Sequence, residues 1–266
     1  TFPEGEGVRT TETNLGDFAA DAILWQARQT LGEENVDAAL TNGGGIRASI
    51  AAGDITKKDI NTVLPFGNTL SIVKVTGAEL LEALEASTYC TPTSIGGFPQ
   101  VSGIEFTVDT TKAYDQGEQY PGSTYYGPKS IQRVTIETVG GEPFDANATY
   151  TIATNDFMAA GGDTYYAFAA ASVNYDLGLS MDEVVMDYIT DELKGTVTEE
   201  AYGQPAGRIT VDQGLAFTDV AATSPYYDGI EWAVDEGITN GTTATTFSPY
   251  QNCTRAQIIT YLWRAA

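Results

Sequence analysis

The chain has 266 residues, 42% hydrophobic and 18% charged, with 36 acidic against 13 basic side chains and a net charge of −23. That is a folded composition, sized for one domain plus a small module; its field repels nucleic-acid polymers but tolerates one small nucleotide held by placed arginines. With no histidine, a Ser-His-Asp triad, a Cys-His pair and a histidine-ligated metal centre are all excluded. Cys90 and Cys253 make no disulfide framework, and no run of about 18 apolar residues spans a membrane. The chain opens Thr1-Phe2-Pro3, which reads as a piece of something longer.

In chain order, Leu15, Phe18, Ala19, Ala22 and Ile23 recur at helical spacing. They predict a helix capped by Thr13 or Asn14 and closed at Leu31-Gly32. Its first N–H groups point back toward Arg9, which reads equally as a solvated charge or as a phosphate contact. Residues 36–40 read as a short buried strand. They deliver the turn Asn42-Gly43-Gly44-Gly45-Ile46-Arg47. Three glycines let backbone N–H groups converge on an anion, or let a ligand lie against the main chain. The planar fork of Arg47 suits a phosphate; a plain glycine turn with a surface arginine fits equally well.

A short helix follows over residues 57–64, broken at Pro65-Phe66-Gly67-Asn68, so Phe66 sits on a loop. Residues 70–75 alternate as a strand, and 77–86 form an amphipathic helix. Residues 88–100 are a loop, 101–108 a strand, and 109–130 another loop rich in tyrosine. Residues 131–138, the Gly140-Gly141 turn and residues 150–154 read as a β-hairpin. Asn155-Asp156-Phe157 then leads through Met158-Ala159-Ala160 to Gly161-Gly162-Asp163, a second loop aromatic followed by glycines and a carboxylate. Residues 181–193 read as a helix and 208–211 as a last strand.

Read singly, each phenylalanine is core and Asp163 a turn residue. Read together, they describe a mononucleotide pocket. Two rings clamp a flat base, each stack being worth about 1–3 kcal/mol. A carboxylate accepts the ribose hydroxyls, and arginines take the phosphate. The expected architecture is an α/β domain with mixed strands over residues 1–213, then a small helical unit over 214–266.

The motifs Asn42 to Arg47, Leu64-Pro65-Phe66-Gly67-Asn68, Phe98-Pro99-Gln100-Val101-Ser102-Gly103 and Asn155 to Asp163 resemble the C-terminal domain of the 5′-nucleotidases. That family also includes UDP-sugar hydrolases and 2′,3′-cyclic-nucleotide phosphodiesterases. The likeness runs over residues 7–211. It implies that Phe66 and Phe157 sandwich the base and that Asp163 holds the ribose. It places Arg47, and Arg9 after it, on the phosphate side, with Gly45 in the glycine turn and Asn42 near the base edge or sugar. The family's two divalent metal ions belong to a separate N-terminal metallophosphoesterase domain, so the resemblance implies no cofactor and no catalytic residue in this chain. Where members often carry a further arginine before the Asn-Leu-Gly helix, this chain has Thr10, Thr11 and Glu12.

Phe217-Thr218-Asp219-Val220 opens the second unit. Tyr226, Ile230, Trp232 and Val234 predict one helix; Thr254-Arg255-Ala256-Gln257 caps another over residues 256–263. These marks resemble a surface-layer homology (SLH) module, with Gln257 where the usual box has glutamate. The resemblance implies attachment to cell-wall polysaccharide through Arg255 and Trp232, an extracellular location, and modules that pack in threes. The expected function is nucleotide binding within a secreted, wall-attached 5′-nucleotidase-type hydrolase, this chain alone being inactive. The alternatives are cyclic phosphodiesterase or UDP-sugar hydrolase activity, or a wall-bound binding or adhesion module without catalysis.

Overall fold

The computed structural model describes residues 7–265; the opening Thr1-Phe2-Pro3 and the last residue, Ala266, lie outside that range. Two compact units divide the chain, Thr1–Asp212 and Gln213–Ala266.

Helix α1 (Asn14–Leu31) forms where the apolar spacing places it. Thr13 is the cap, its hydroxyl accepting the Gly16 N–H at 3.1 Å. Gln100 Oε1 reaches the same helix end and accepts the Thr13 N–H at 3.0 Å. A Cβ on Gly16 would lie 1.8 Å from that oxygen, so only glycine admits the approach. The chain continues through β1 (Ala38–Asn42), a 3₁₀ turn (Gly43–Gly45), α2 (Lys57–Val63), β2 (Thr69–Thr76) and α3 (Gly77–Ser87). Helices α2 and α3 both start at capping boxes, Thr56 with Asp59 and Thr76 with Glu79. Next come β3 (Pro99–Ser102), β4 (Ile104–Asp109), β5 (Gln116–Gln119), β6 (Tyr126–Pro128), β7 (Val134–Val139), β8 (Glu142–Pro143) and β9 (Thr149–Asn155). The unit closes with α4 (Asp156–Ala159), α5 (Tyr166–Ala169), β10 (Val173–Ser180), α6 (Met181–Asp187), α7 (Glu199–Tyr202) and β11 (Ile209–Asp212).

The strands form a five-stranded sheet ordered β10-β2-β9-β1-β3, a four-stranded sheet ordered β11-β4-β7-β8, and the β5-β6 hairpin. Side-chain alternation gives the five-stranded sheet two apolar faces. Ala39, Leu70, Ile72 and Ala153 pack with Phe18 and Ile23 of α1 and Val184 of α6. Ala38, Leu40, Val73 and Ile152 pack with Leu80 of α3 and with Phe106 and Ile136 of the second sheet.

Four local expectations need correction. Residues 131–138 and 150–154 are not a hairpin. Strand β7 turns at Gly140-Gly141 onto β8 and pairs with β4, whereas β9 enters the other sheet between β2 and β1. The expected strand over 101–108 is interrupted by Gly103 at φ +73°, which sends β3 and β4 into different sheets. The loop over 109–130 contains the β5-β6 hairpin. The helix from residue 181 is α-helical only to Asp187, then makes a π turn over Tyr188–Glu192.

Three acids of the α1 region tie down the end of the unit. Glu12 accepts the backbone N–H groups of Arg208 and Ile209 at 3.0 and 3.1 Å. Asp21 takes the Arg208 guanidinium on both oxygens, at 2.7 and 3.0 Å. Asp17 accepts the Ala206 N–H on Oδ2 at 2.9 Å. Its other oxygen is buried without a donor, 4.0 Å from Arg208 Nη1 and beside Glu12.

In the second unit, α8 (Tyr227–Asp235) packs Ile230 on Phe217 and Val220. Asp219 accepts the N–H groups of Phe247 and Ser248, each at 2.8 Å, and so folds the polar loop back. Helix α9 (Arg255–Arg264) starts at a capping box in which Gln257 Oε1 accepts the Thr254 N–H at 2.8 Å, so glutamine serves there. Its apolar residues Ile259, Leu262 and Trp263 are 67–77% exposed.

Candidate functional site

Sheet polarity gathers the sequence motifs. Strands β1 and β9 are parallel, with Ala39 opposite Ala153, so both finish at the same sheet end. The antiparallel registers, Leu70 opposite Asn155 and Asn42 opposite Pro99, start β2 and β3 at that end. The turn after β1, the loops before β2 and β3 and the turn after β9 therefore meet, though residues 42 and 163 stand 121 positions apart.

Phe66 lies on the loop between α2 and β2 and is 60% exposed, an expensive place for a ring with no partner to cover it. The Arg47 guanidinium carbon sits 5.8 Å from its centroid, a cation–π distance, and Arg47 Nη1 donates to Gly44 O at 3.3 Å. Phe157 is 42% exposed. It sits in the helical turn α4 and not in an open loop, and Asn155 caps that turn by accepting the Met158 N–H at 2.9 Å. The Phe157 ring lies across Gly162, where a Cβ would fall 2.5 Å from Cζ. The two aromatic loops are tied together where Thr69 N–H donates to Asp156 Oδ1 at 3.1 Å.

Asp163 takes a left-handed backbone, φ +52°, after the Gly161-Gly162 pair. Its Oδ2 accepts Asn42 Nδ2 at 3.0 Å. Burial pushes this carboxyl up from its ordinary value, while the Asn42 hydrogen bond and the charge of Arg9 pull the other way. Arg9 O accepts the Ile95 N–H at 3.1 Å, which stitches that segment to the Gly96-Gly97 loop packed against Asp163.

The glycine turn is not an anion cradle. Gly43 N–H donates to Phe98 O and Gly44 N–H to Gly96 O, both at 2.7 Å. Gly43 is required for close approach, since a Cβ would lie 1.8 Å from Val8 O. Gly45 lines a cavity of about 20 Å³ with Thr41, Phe66, Asn68 and Asn155; Phe157 does not line it. That is room for about one water, so this cavity does not hold a base. A larger hollow of about 580 Å³, bounded by Ile50, Ile55, Val197 and Tyr202, includes none of these side chains in its lining and is mostly apolar.

The structure thus brings Phe66, Arg47, Gly45, Asn42, Asp163, Arg9 and Phe157 to one sheet end. Asn155 opens the motif that runs to Asp163, but the sequence reading gave it no role of its own. Trp232 is 56% exposed on α8, and Arg255 is exposed at the start of α9.

The 5′-nucleotidase C-terminal domain profile matches residues 2–170, and an S-layer homology domain profile matches residues 216–259. The chain belongs to the 5′-nucleotidase C-terminal domain family. It is 41% identical over 191 residues to the trifunctional nucleotide phosphoesterase protein YfkN of Bacillus subtilis, a match covering 71% of this chain and 12% of that protein. It is 33% identical over 202 residues to a 5′-nucleotidase of Vibrio cholerae, covering 76% of this chain and 31% of that one. A solved structure, the 5′-nucleotidase precursor of Thermus thermophilus, superposes with a TM-score of 0.64 at 35% identity, over 78% of this chain and 37% of the other. The chain therefore spans less than half the length of these relatives.

Proposed function

We infer that this chain is the nucleotide-binding part of a secreted 5′-nucleotidase-type phosphoric ester hydrolase that releases nucleosides and phosphate. One juxtaposition carries the reading: an exposed ring under a guanidinium, a second exposed ring, and a half-buried carboxylate share one sheet end. Phe66 and Phe157 offer π faces to a base, which stacks with little regard to its identity. Asp163 accepts ribose hydroxyls, with Asn42 beside it, and Arg47 and Arg9 face the phosphate. Held this way, the ester is oriented toward a reacting centre outside the chain, a proximity effect.

Among the described residues nothing offers the ligand set of a two-metal centre. The chain has no histidine, and the described residues hold no group of three His, Cys, Asp or Glu side chains placed around one point. The two metal ions that the family resemblance implies would activate water from a separate metallophosphoesterase domain. The second unit would hold the protein on cell-wall polysaccharide, with exposed Trp232 and Arg255 as contacts. The bare apolar side of α9 is suited to pack further modules of the same kind.

Calorimetric titration with adenosine and AMP tests the clamp. Phe66→Ala and Phe157→Ala should each weaken binding by about 1–3 kcal/mol; parent-like affinity in both would make the rings ordinary surface. Metal-dependent AMP turnover that stays with this chain through further purification would contradict the division of labour.

A further inference from the structure

Asn155 is 2% exposed at the end of β9, and every polar atom of its side chain is engaged inside the site. Its Oδ1 accepts the Met158 backbone N–H at 2.9 Å. A backbone N–H only donates, so this contact fixes which side of the amide carries oxygen. Nδ2 must then face the other way, where its acceptors are Asn42 Oδ1 at 3.1 Å, Thr41 Oγ1 at 3.2 Å and the weaker Met158 Sδ at 3.3 Å. With Asn42 Oδ1 occupied as an acceptor, the Asn42 amide has one orientation left. Its Nδ2 points at Asp163 and donates to Oδ2 at 3.0 Å. A directional relay thus runs from the helical turn bearing Phe157, through Asn155 and Asn42, to the Asp163 carboxylate.

We propose that Asn155 is a positioning residue for ribose recognition: capped onto the Phe157 turn, it sets the orientation of Asn42 and so holds Asp163 as an acceptor for the sugar hydroxyls. This rests on the nucleotide-binding reading above and names what within that site selects a ribose. With an acceptor in place of the Asn155 donor, the Asn42 amide is drawn to turn its nitrogen toward residue 155 and its oxygen toward Asp163. Two acceptors then face each other, and the carboxylate swings away or takes a proton. The base platforms are unaffected, so selectivity for the sugar falls while stacking persists.

Asn155→Asp separates the relay from the cap, because Asp caps a helix as well as Asn but its ionised carboxylate donates nothing. Asn155→Ser also keeps a cap and adds no charge, and it serves if the first variant does not fold. The 266-residue chain is titrated with adenosine and with 2′,3′-dideoxyadenosine at pH 8. The parent should prefer adenosine, and either variant should lose about ten-fold in adenosine affinity, roughly 1.4 kcal/mol, with dideoxyadenosine binding unchanged. A purely structural role would weaken both ligands together. As a second readout, the Asp163 carboxyl carbon resonance should titrate at higher pH in the variant, where the Asn42 donor is lost. If a folded variant keeps the parent's adenosine preference and Asp163 midpoint, the relay is refuted while the nucleotide site stands. If the parent binds neither ligand, the nucleotide reading fails and the relay with it.

Discussion

The buried acid Asp17 makes stability depend on pH in a calculable direction. Burial pushes its carboxyl up from 3.8 to about 7; the Glu12 charge adds to the rise, and the Ala206 N–H and Arg208 oppose it. The unfolded chain releases this proton near pH 3.8, whereas the folded protein keeps it to about pH 7. The stabilisation from the retained proton is therefore complete below the lower value and is lost as pH rises through the upper one. Three units correspond to at most about 4 kcal/mol, and about 2–3 kcal/mol of it disappears between pH 5 and 7. Asp17→Asn is neutral throughout: its amide oxygen accepts the Ala206 N–H and its nitrogen donates to Glu12. Relative to the parent, the variant should gain about 2–3 kcal/mol on going from pH 5 to pH 8. Urea unfolding measures this, with Trp232→Phe and Trp263→Phe in both proteins so that Trp25 alone reports the first unit. If the variant-minus-parent difference changes by less than about 0.5 kcal/mol between the two pH values, the proton is not held there.

Two further outcomes concern the site. Gly162→Ala places a methyl where the Phe157 ring now lies, 2.5 Å from Cζ. The ring is at the surface and can move, so the melting temperature should hold while adenosine affinity falls about ten-fold by calorimetry. Asp163 has a raised carboxyl pKa from burial, so its carboxylate is lost at a higher pH than an ordinary aspartate's. Adenosine affinity should drop as pH falls through that point, whereas Asp163→Asn should bind weakly with a flat profile.

Local order was readable in the sequence. Helix α1 follows from its 3.6-residue apolar period and Thr13, and α2 and α3 follow from theirs. Strand partnership was not. Residues 131–138 and 150–154 flank a Gly-Gly turn, which suits a hairpin, but β9 is buried along nearly its whole length. A strand buried on both faces belongs in a sheet interior, between β1 and β2, and alternation alone does not say which sheet. The link from Glu12 to Arg208 crosses 196 positions and left no local trace. The site was visible as motifs through resemblance, but its internal wiring was not. That Asn42 grips Asp163, and that the glycine N–H groups bond to the 96–98 loop, depend on contacts between distant segments.

The account turns on where a nucleoside lies, and a crystal structure of the chain soaked with adenosine reads that directly. Adenine should stack between Phe66 and Phe157, with a ribose hydroxyl at hydrogen-bond distance from Asp163. Adenosine bound elsewhere, with both rings left bare to solvent, would contradict it.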